Sequence, residues 1–297
     1  MLFRSIGGRF DDRVTGKVST FAQRAQIIHV DIDPSEIGKV VPTSIGIRGD
    51  ARATLTCMLE LAPAGNHREW LGRIRDIQRE HEPHQAYRRR PDTPTLMPHD
   101  VFASLDRAFH KRTGYRVVTD VGQHQMWAAQ LIEWGRPRSH ITSGGAGTMG
   151  FAIPAALGAA LAFPNETVWV IVGDGGFQMT NQEIATMVQE DVRNVKIAVI
   201  NNGYLGMVRQ WQELFEGARY SGTKLSGPDI MRLAEAYGVR GSMVERPEDA
   251  DRAIEDAWAH DGAAVIDFRV EREANVFPIV PAGKSIGDMM VTATSNA

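Results

Sequence analysis

Two short apolar runs, Val168-Trp-Val-Ile-Val172 and Val195-Lys-Ile-Ala-Val-Ile200, end in residues that a strand interior does not tolerate. Gly173-Asp174-Gly175-Gly176 follows the first and Asn201-Asn202 the second. By length and β-branched content both runs read as buried strands, and Phe177 to Asp191 between them reads as a crossover helix. Such a unit makes neighbouring parallel strands whose carboxyl ends carry hard oxygen ligands. A magnesium ion that holds a diphosphate needs few protein ligands, and one carboxylate, one amide oxygen and one backbone carbonyl suit it. Asp174, Asn202 and the carbonyl of Tyr204 offer that set. Gly175 and Gly176 leave room for phosphate oxygens, and a helix expected to begin near Thr180 would turn its free amides toward the anion. Each motif alone reads better as a tight turn. The ordered pair at two strand ends favours the ligand reading.

The 297 residues, with a formal net charge of -3, suffice for one full α/β domain and part of another. The near-neutral balance gives no electrostatic case for nucleic acid, and Arg88-Arg89-Arg90 reads as a solvated charge run. No apolar run approaches the roughly 20 residues of a membrane span, and Met1 to Gly8 lacks a secretory core, so a soluble cytoplasmic protein is expected. The single cysteine, Cys57, sits in the apolar stretch Leu55 to Leu61 and is expected to be a buried, inert thiol. His67, His81, His84 and His99 lie scattered with no cysteine nearby, which does not read as a zinc site.

Residues 1–62 read as a piece of an open α/β sheet, with a strand from Gln26 to Ile32 and a second strand end at Ile45 to Asp50. Gly7-Gly8-Arg9-Phe10 reads as the turn after a strand, yet only Met1 to Ile6 remain to form it and Arg4 interrupts them. Earlier strands are therefore expected to be missing. Residues 63–97 read as an interdomain linker around a helical segment, Glu69 to Arg79. Residues 98–275 read as a second domain and 276–297 as a tail. In the second domain a helix (His99 to Lys111), a strand (Tyr115 to Thr119), a helix after Gln123 and a helix ending at Phe163 precede the two central strands. Helices at Asp229 to Tyr237 and Glu248 to His260 and a strand at Ala264 to Val270 follow. This alternation implies an α/β fold with a doubly wound, mostly parallel sheet covered on both faces.

Gly145-Ala-Gly-Thr-Met-Gly150 has the spacing of a dinucleotide fingerprint. That reading fails because Arg136 to His140 is too polar for the buried strand it needs, and the expected acidic residue would precede a strand rather than end one. Val121-Gly122-Gln123-His124 follows a strand end, where ligands bind in open α/β sheets, and Gln123 and His124 can donate to phosphate oxygens.

Gly-Asp-Gly followed by Asn-Asn resembles the thiamine-diphosphate signature. With Gly173 to Met179, Asn202 to Trp211 and Gly7 to Gly16, the chain resembles, nearly end to end, the large catalytic subunit of acetolactate synthase. The resemblance implies thiamine diphosphate with Mg2+, held by Val121 to His124, by Gly147, Thr148 and Met149 near the aminopyrimidine, by Gly173 to Gly176, and by Asn202. Met207 would support the bent cofactor and Trp211 would line the substrate channel, although their i, i+4 spacing suits plain core packing as well. Gly8, Arg9, Phe10, Asp11, Asp31, Ile32 and Asp50 match positions around FAD. Caps and turns explain the same residues, and the missing upstream strands argue against FAD being retained.

By resemblance the reaction decarboxylates pyruvate and joins the product to a second 2-keto acid, giving 2-acetolactate from pyruvate or the ethyl homologue, 2-aceto-2-hydroxybutyrate, from 2-oxobutyrate. This step leads toward branched-chain amino acids. The family's full-length form implies a homodimer or tetramer and a small regulatory subunit. Its activating glutamate comes from an amino-terminal domain of the neighbouring subunit, so this chain is expected to be inactive alone. Another thiamine-diphosphate carboligase or decarboxylase, or a non-catalytic degenerate copy, are the alternatives.

Overall fold

The computed structural model describes residues 2–63, 65–80 and 95–291. They belong to two compact units, Met1–His81 with Phe277–Ala297 and Glu82–Val276. His81, His84 and Arg88-Arg89-Arg90 lie outside the described residues.

In the first unit, β1 (Leu2–Ile6), β2 (Gln26–Asp31) and β3 (Ile45–Arg48) form a parallel sheet in that order. Arg4 does not interrupt β1, because it faces solvent while Ser5 is buried, the alternation of a half-covered strand. Helices α1 (Asp12–Thr15) and α2 (Ala51–Leu61) start from Asp11 and Asp50, whose carboxylates accept from the amides of Val14 and Ala53. Helix α3 (Arg68–Glu80) covers the expected helical segment. The core is small: Phe10, Ile27 and Val41 are buried, with Phe3 and Phe21 packed around them. Such a narrow sheet does not cover α2, which buries none of its residues. Cys57 is therefore exposed, correcting the expectation of a buried thiol. The tail packs as part of this unit: Lys17 N–H donates to the Lys284 carbonyl at 2.8 Å, and Ile279 bridges Met290.

The second unit interleaves α4 (Pro98–His110), β4 (Tyr115–Thr119), α5 (Gln123–Leu131), β5 (His140–Thr142), α6 (Ala152–Ala162) and β6 (Thr167–Gly173). Helices α7 (Asp174–Thr180) and α8 (Glu183–Gln189) lead to β7 (Val195–Asn201). Then come α9 (Gly206–Phe215), α10 (Ile230–Ala236), β8 (Arg240–Val244), α11 (Pro247–Ala259) and β9 (Ala264–Arg269). All strand pairs are parallel, in the order β5-β4-β6-β7-β9-β8. The fold is α/β and doubly wound. Along β6, Trp169 and Ile171 join the core under α4, α5 and α11, while Val168, Val170 and Val172 join the core under α6 and α10. Burial on both faces is why this run shows no polar alternation. Lys196 enters the buried β7 run by turning its ammonium to the carbonyls of Arg193, His260 (2.8 Å) and Gly262. Desolvation lowers its pKa to about 8.

Three sequence expectations change here. The crossover expected over 177–191 is two helices, and the first begins at Asp174 rather than near Thr180. Gly173, extended at φ -79° and ψ 160°, serves as its cap. A strand, β5, does precede the glycine-rich loop, but it is three residues long and half-buried at the sheet edge. β8 is a further edge strand that the polar segment Arg240-Gly-Ser does not announce.

After β4 the chain goes to one side for β5 and returns to the other side of β4 for β6. The winding direction thus reverses between β4 and β6, and at such a switch point the loops diverge and leave a crevice at the carboxyl ends.

Candidate cofactor and metal site

Asp120, directly after β4, is fully buried, and its carboxylate accepts from the amides of Gly150 (3.0 Å) and Phe151 (3.2 Å). Desolvation raises its pKa against these bonds and one from Val121. A Cβ on Gly176 would stand 2.0 Å from its Oδ2. Asp120 thus ties the glycine-rich loop to the segment after β6. Sequence reasoning missed it, though an acid closing a buried strand just before Val121-Gly122-Gln123-His124 was a usable signal.

Gly122 adopts φ 150°, and a Cβ there or on Gly173 would lie 3.0–3.1 Å from the His124 ring. The ring is therefore wedged between the ends of two adjacent strands. Desolvation lowers its pKa to about 3, so it is neutral near pH 7; it hydrogen-bonds the Asp120 backbone. Its Nε2 is buried without a partner among the described residues. With Nδ1–H given to the Asp120 carbonyl, the neutral ring leaves Nε2 as an acceptor, so His124 lines the crevice without donating to an anion there, contrary to the sequence expectation.

Asp174 is 7% exposed and has no salt bridge among the described residues. Desolvation raises its pKa to about 7, although the amides of Asp174, Gly175 and Gly203 bond the carboxylate and Asp267 adds further repulsion. The bond from Gly203 brings Asp174 beside Asn202, and both line one crevice of about 470 Å³. Of the two asparagines, Asn201 is held by Asp267 through Nδ2 at 2.9 Å. Asn202 faces the crevice, with Oδ1 accepting from Tyr204 N–H at 3.1 Å and a further lone pair open. A desolvated carboxylate beside an inward amide oxygen fits a hard divalent cation. Groups of three or more His, Cys, Asp or Glu suited to a metal do not occur among the described residues, and this donor set needs only one such residue.

Gln123 does not present its side chain to a phosphate, as the sequence suggested. Its Nε2 donates to Gln210 Oε1 (2.9 Å) and the Ala274 carbonyl (3.0 Å), and its Oε1 accepts from Asn202 Nδ2 at 3.2 Å. Gly206 permits this contact, since a Cβ there would lie 2.1 Å from Gln123 Oε1 and 2.7 Å from Asn202 Nδ2. Neither Gly206 nor Gln210 carries a local sequence signal.

Val121, Gly175, Gly176, Met149, Tyr204 and Met207 line the same crevice. Met149 approaches Gly175, Thr148 N–H donates to Ser143 Oγ at 3.1 Å, and Gly147 has φ 64°. Trp211, one turn beyond Met207, is 44% exposed.

The residues expected around FAD gather at the carboxyl edge of the first unit's sheet, after β1, β2 and β3, but they are already partnered. Asp11 and Asp50 cap helices, Arg9 pairs with Asp11 at 2.9 Å, and Asp31 accepts from Asp33 N–H at 2.9 Å. Gly8 sits against Ser5, Phe10 is core, and Ile32 is 70% exposed. Among the described residues of this unit, the buried side-chain atom without a partner is His29 Nε2, which sits within β2 against the Phe10 ring rather than among the residues expected around FAD.

Residues 120–268 match the family "Thiamine pyrophosphate enzyme, C-terminal TPP binding domain", and residues 3–58 match that family's central domain. The chain is 45% identical to the acetolactate synthase large subunit of Corynebacterium glutamicum, over 97% of this chain and 47% of that one. It is 46% identical to the acetolactate synthase large subunit of Mycobacterium tuberculosis, over 96% and 47%. With the acetolactate synthase isozyme 2 large subunit of Escherichia coli it shares 40%, over 97% and 51%. The chain spans about half the length of the curated relatives it matches. The matched span opens at Asp120 and takes in Asp174, Asn202 and the strands that carry them, and on that match this chain belongs to the thiamine pyrophosphate enzymes.

Proposed function

We propose that this chain supplies the diphosphate- and cation-binding part of an acetolactate synthase, which decarboxylates pyruvate and joins the product to pyruvate or 2-oxobutyrate. The observation that carries the reading is Asp174: a buried carboxylate without a cationic partner among the described residues, beside an inward Asn202, at the switch point of a parallel sheet. Asp174, Asn202 Oδ1 and the Tyr204 carbonyl hold Mg2+. Gly122, Gly173, Gly175 and Gly176 line the crevice with bare backbone against which the diphosphate lies, and the neutral His124 ring holds the two strand ends apart beside it. Met149 and Met207 shape the apolar wall against which the rings lie and exclude water there. Thiamine diphosphate, when bound, supplies an electron sink that lets carbon dioxide leave a 2-keto acid.

Turnover also requires what the relatives carry beyond the span matched here, assembled as a dimer or tetramer; their "large subunit" names suggest a smaller regulatory partner as well. In calorimetry, the purified 297-residue chain is expected to bind thiamine diphosphate with Mg2+ and to release no carbon dioxide from pyruvate. Acetolactate made by this chain alone would overturn the incomplete-enzyme reading, and no binding would overturn the site. Val208, Trp211 and Phe215 leave an apolar stripe exposed along α9, which supports a second reading as a non-catalytic, partner-binding copy. Turnover on adding the relatives' amino-terminal half would dismiss that reading.

A further inference from the structure

Three side-chain amides run in series from the segment after β9 to the proposed cation ligand. Val276 N–H donates to Gln210 Oε1, and Gln210 Nε2 donates to the Val276 carbonyl, both at 2.9 Å. A backbone N–H only donates and a carbonyl only accepts, so this double contact fixes which end of Gln210 is oxygen. Gln210 Oε1 can then take only a donor, and Gln123 Nε2 provides it at 2.9 Å while also donating to the Ala274 carbonyl. That leaves Gln123 Oε1 facing Asn202, where it accepts from Nδ2 at 3.2 Å. Asn202 therefore turns Oδ1 away from Gln123, to the side where Tyr204 N–H meets it. Each assignment forces the next, because one reversed amide would set two donors or two acceptors face to face in a buried place.

The anchor of this series is itself clamped. Arg209, fully buried, donates to the Ala274 carbonyl (3.2 Å), Asn275 Oδ1 (2.6 Å) and Glu213 Oε2 (2.6 Å). Asn275 Nδ2 closes the ring onto Glu213 Oε2 at 3.1 Å. Gln210 and Gln123 are 0% and 3% exposed, so solvent does not replace a lost partner.

We infer that Gln210 is a positioning residue which, through Gln123, sets the Asn202 amide with its oxygen toward the cation. The inference rests on the function proposed above for Asp174 and Asn202. Manganese, followed by its paramagnetic resonance, serves as the probe, titrated into the chain with thiamine diphosphate. Gln210→Met keeps the volume and removes the hydrogen bonds; it is expected to weaken Mn2+ about tenfold, as loss of an outer partner of a ligand does. Gln210→Glu keeps both acceptor roles and, while protonated, the donation to the Val276 carbonyl; ionised, it sets two acceptors face to face, so its Mn2+ affinity should fall with rising pH relative to that of the unsubstituted chain, and this carries the test if the first variant folds poorly. In the cation-free chain, the Asn202 side-chain amide protons are expected to lose their slow exchange in Gln210→Met. A purely structural role would lower the melting temperature and leave both readouts unchanged, which would overturn the inference alone. If the unsubstituted chain fails to bind Mn2+ with thiamine diphosphate, or Asp174→Asn binds it as well as the unsubstituted chain, the proposed function falls and the inference with it.

Discussion

Both sheets of this molecule are parallel, and both carry glycines and acids at their carboxyl ends, yet the two edges are in opposite states. In the smaller unit Asp11, Asp31 and Asp50 each accept from a nearby amide, and Arg9 adds an ion pair. In the larger unit Asp174 is desolvated to a pKa of about 7, and the His124 Nε2 is buried with no partner among the described residues. Residue type and strand-end position are shared, so neither separates a binding edge from a set of turns. Unmet demand at the strand ends does: His29 Nε2, also buried without a partner among the described residues, lies inside β2 against Phe10, whereas in the larger unit a desolvated carboxylate and a partnerless imidazole nitrogen occur together at the crevice.

The sharpest way to break this comparison is to remove a carboxylate at each edge. Asp174→Asn is expected to weaken thiamine diphosphate with Mg2+ by at least about a hundredfold in calorimetry, since a buried charge-assisted contact is lost. Asp50→Asn should leave that binding unchanged. Equal losses would dissolve the distinction.

Next in size is a pH effect confined to the larger unit. With Asp174 held at about 7 against the ordinary 3.8, the cation-free native chain keeps a proton between those values that the unfolded chain has released, so stability falls as pH rises. His124, at about 3 against 6.5, works the other way: the unfolded chain takes up a proton that the native chain refuses, and stability rises with pH. The two slopes offset each other in the shared window. Asp174→Asn leaves His124 alone, and urea unfolding should then show a loss of roughly 1.4 kcal/mol per pH unit as pH falls from about 6.5 to about 4. Parallel pH profiles for the two proteins would contradict the buried states assigned to both groups.

Smaller effects follow. Gly206→Ala forces a methyl against Gln123 and Asn202 and is expected to cost about 2 kcal/mol in chemical denaturation, with weakened cation binding. Asp50→Ala removes the cap of α2, costing about 1 kcal/mol and seen as faster amide exchange at the start of that helix, with no change at the crevice. Trp211→Ala, at a residue 44% exposed, should change stability by only about 0.5 kcal/mol. A larger change would mean that Trp211 packs more tightly than its exposure suggests.

What could be read from the sequence follows from where the information resides. β6 and β7 declared themselves because strands buried on two faces must be continuously apolar. Their terminal Asp174 and Asn202 declared the crevice for the same reason. β5 and β8 stayed hidden because edge strands have little apolar surface to hide. The start of α7 was placed late because two glycines argue against a helix locally; Asp120 and Leu205, which crowd those glycines, come from distant segments. Cys57 was misjudged because an apolar run implies burial only where a sheet is wide enough to cover it. Asp120, Gly206 and Gln210 matter through contacts with residues far along the chain, and no local pattern encodes those.

The imidazole of His124, pinched between Gly122 and Gly173, works as a gauge block between the ends of β4 and β6. The mouth of the crevice is then as wide as one aromatic ring allows, with a tolerance of less than a methyl group on either flank. The two glycines, which touch no ligand through a side chain, should for this reason be among the least exchangeable residues of the molecule.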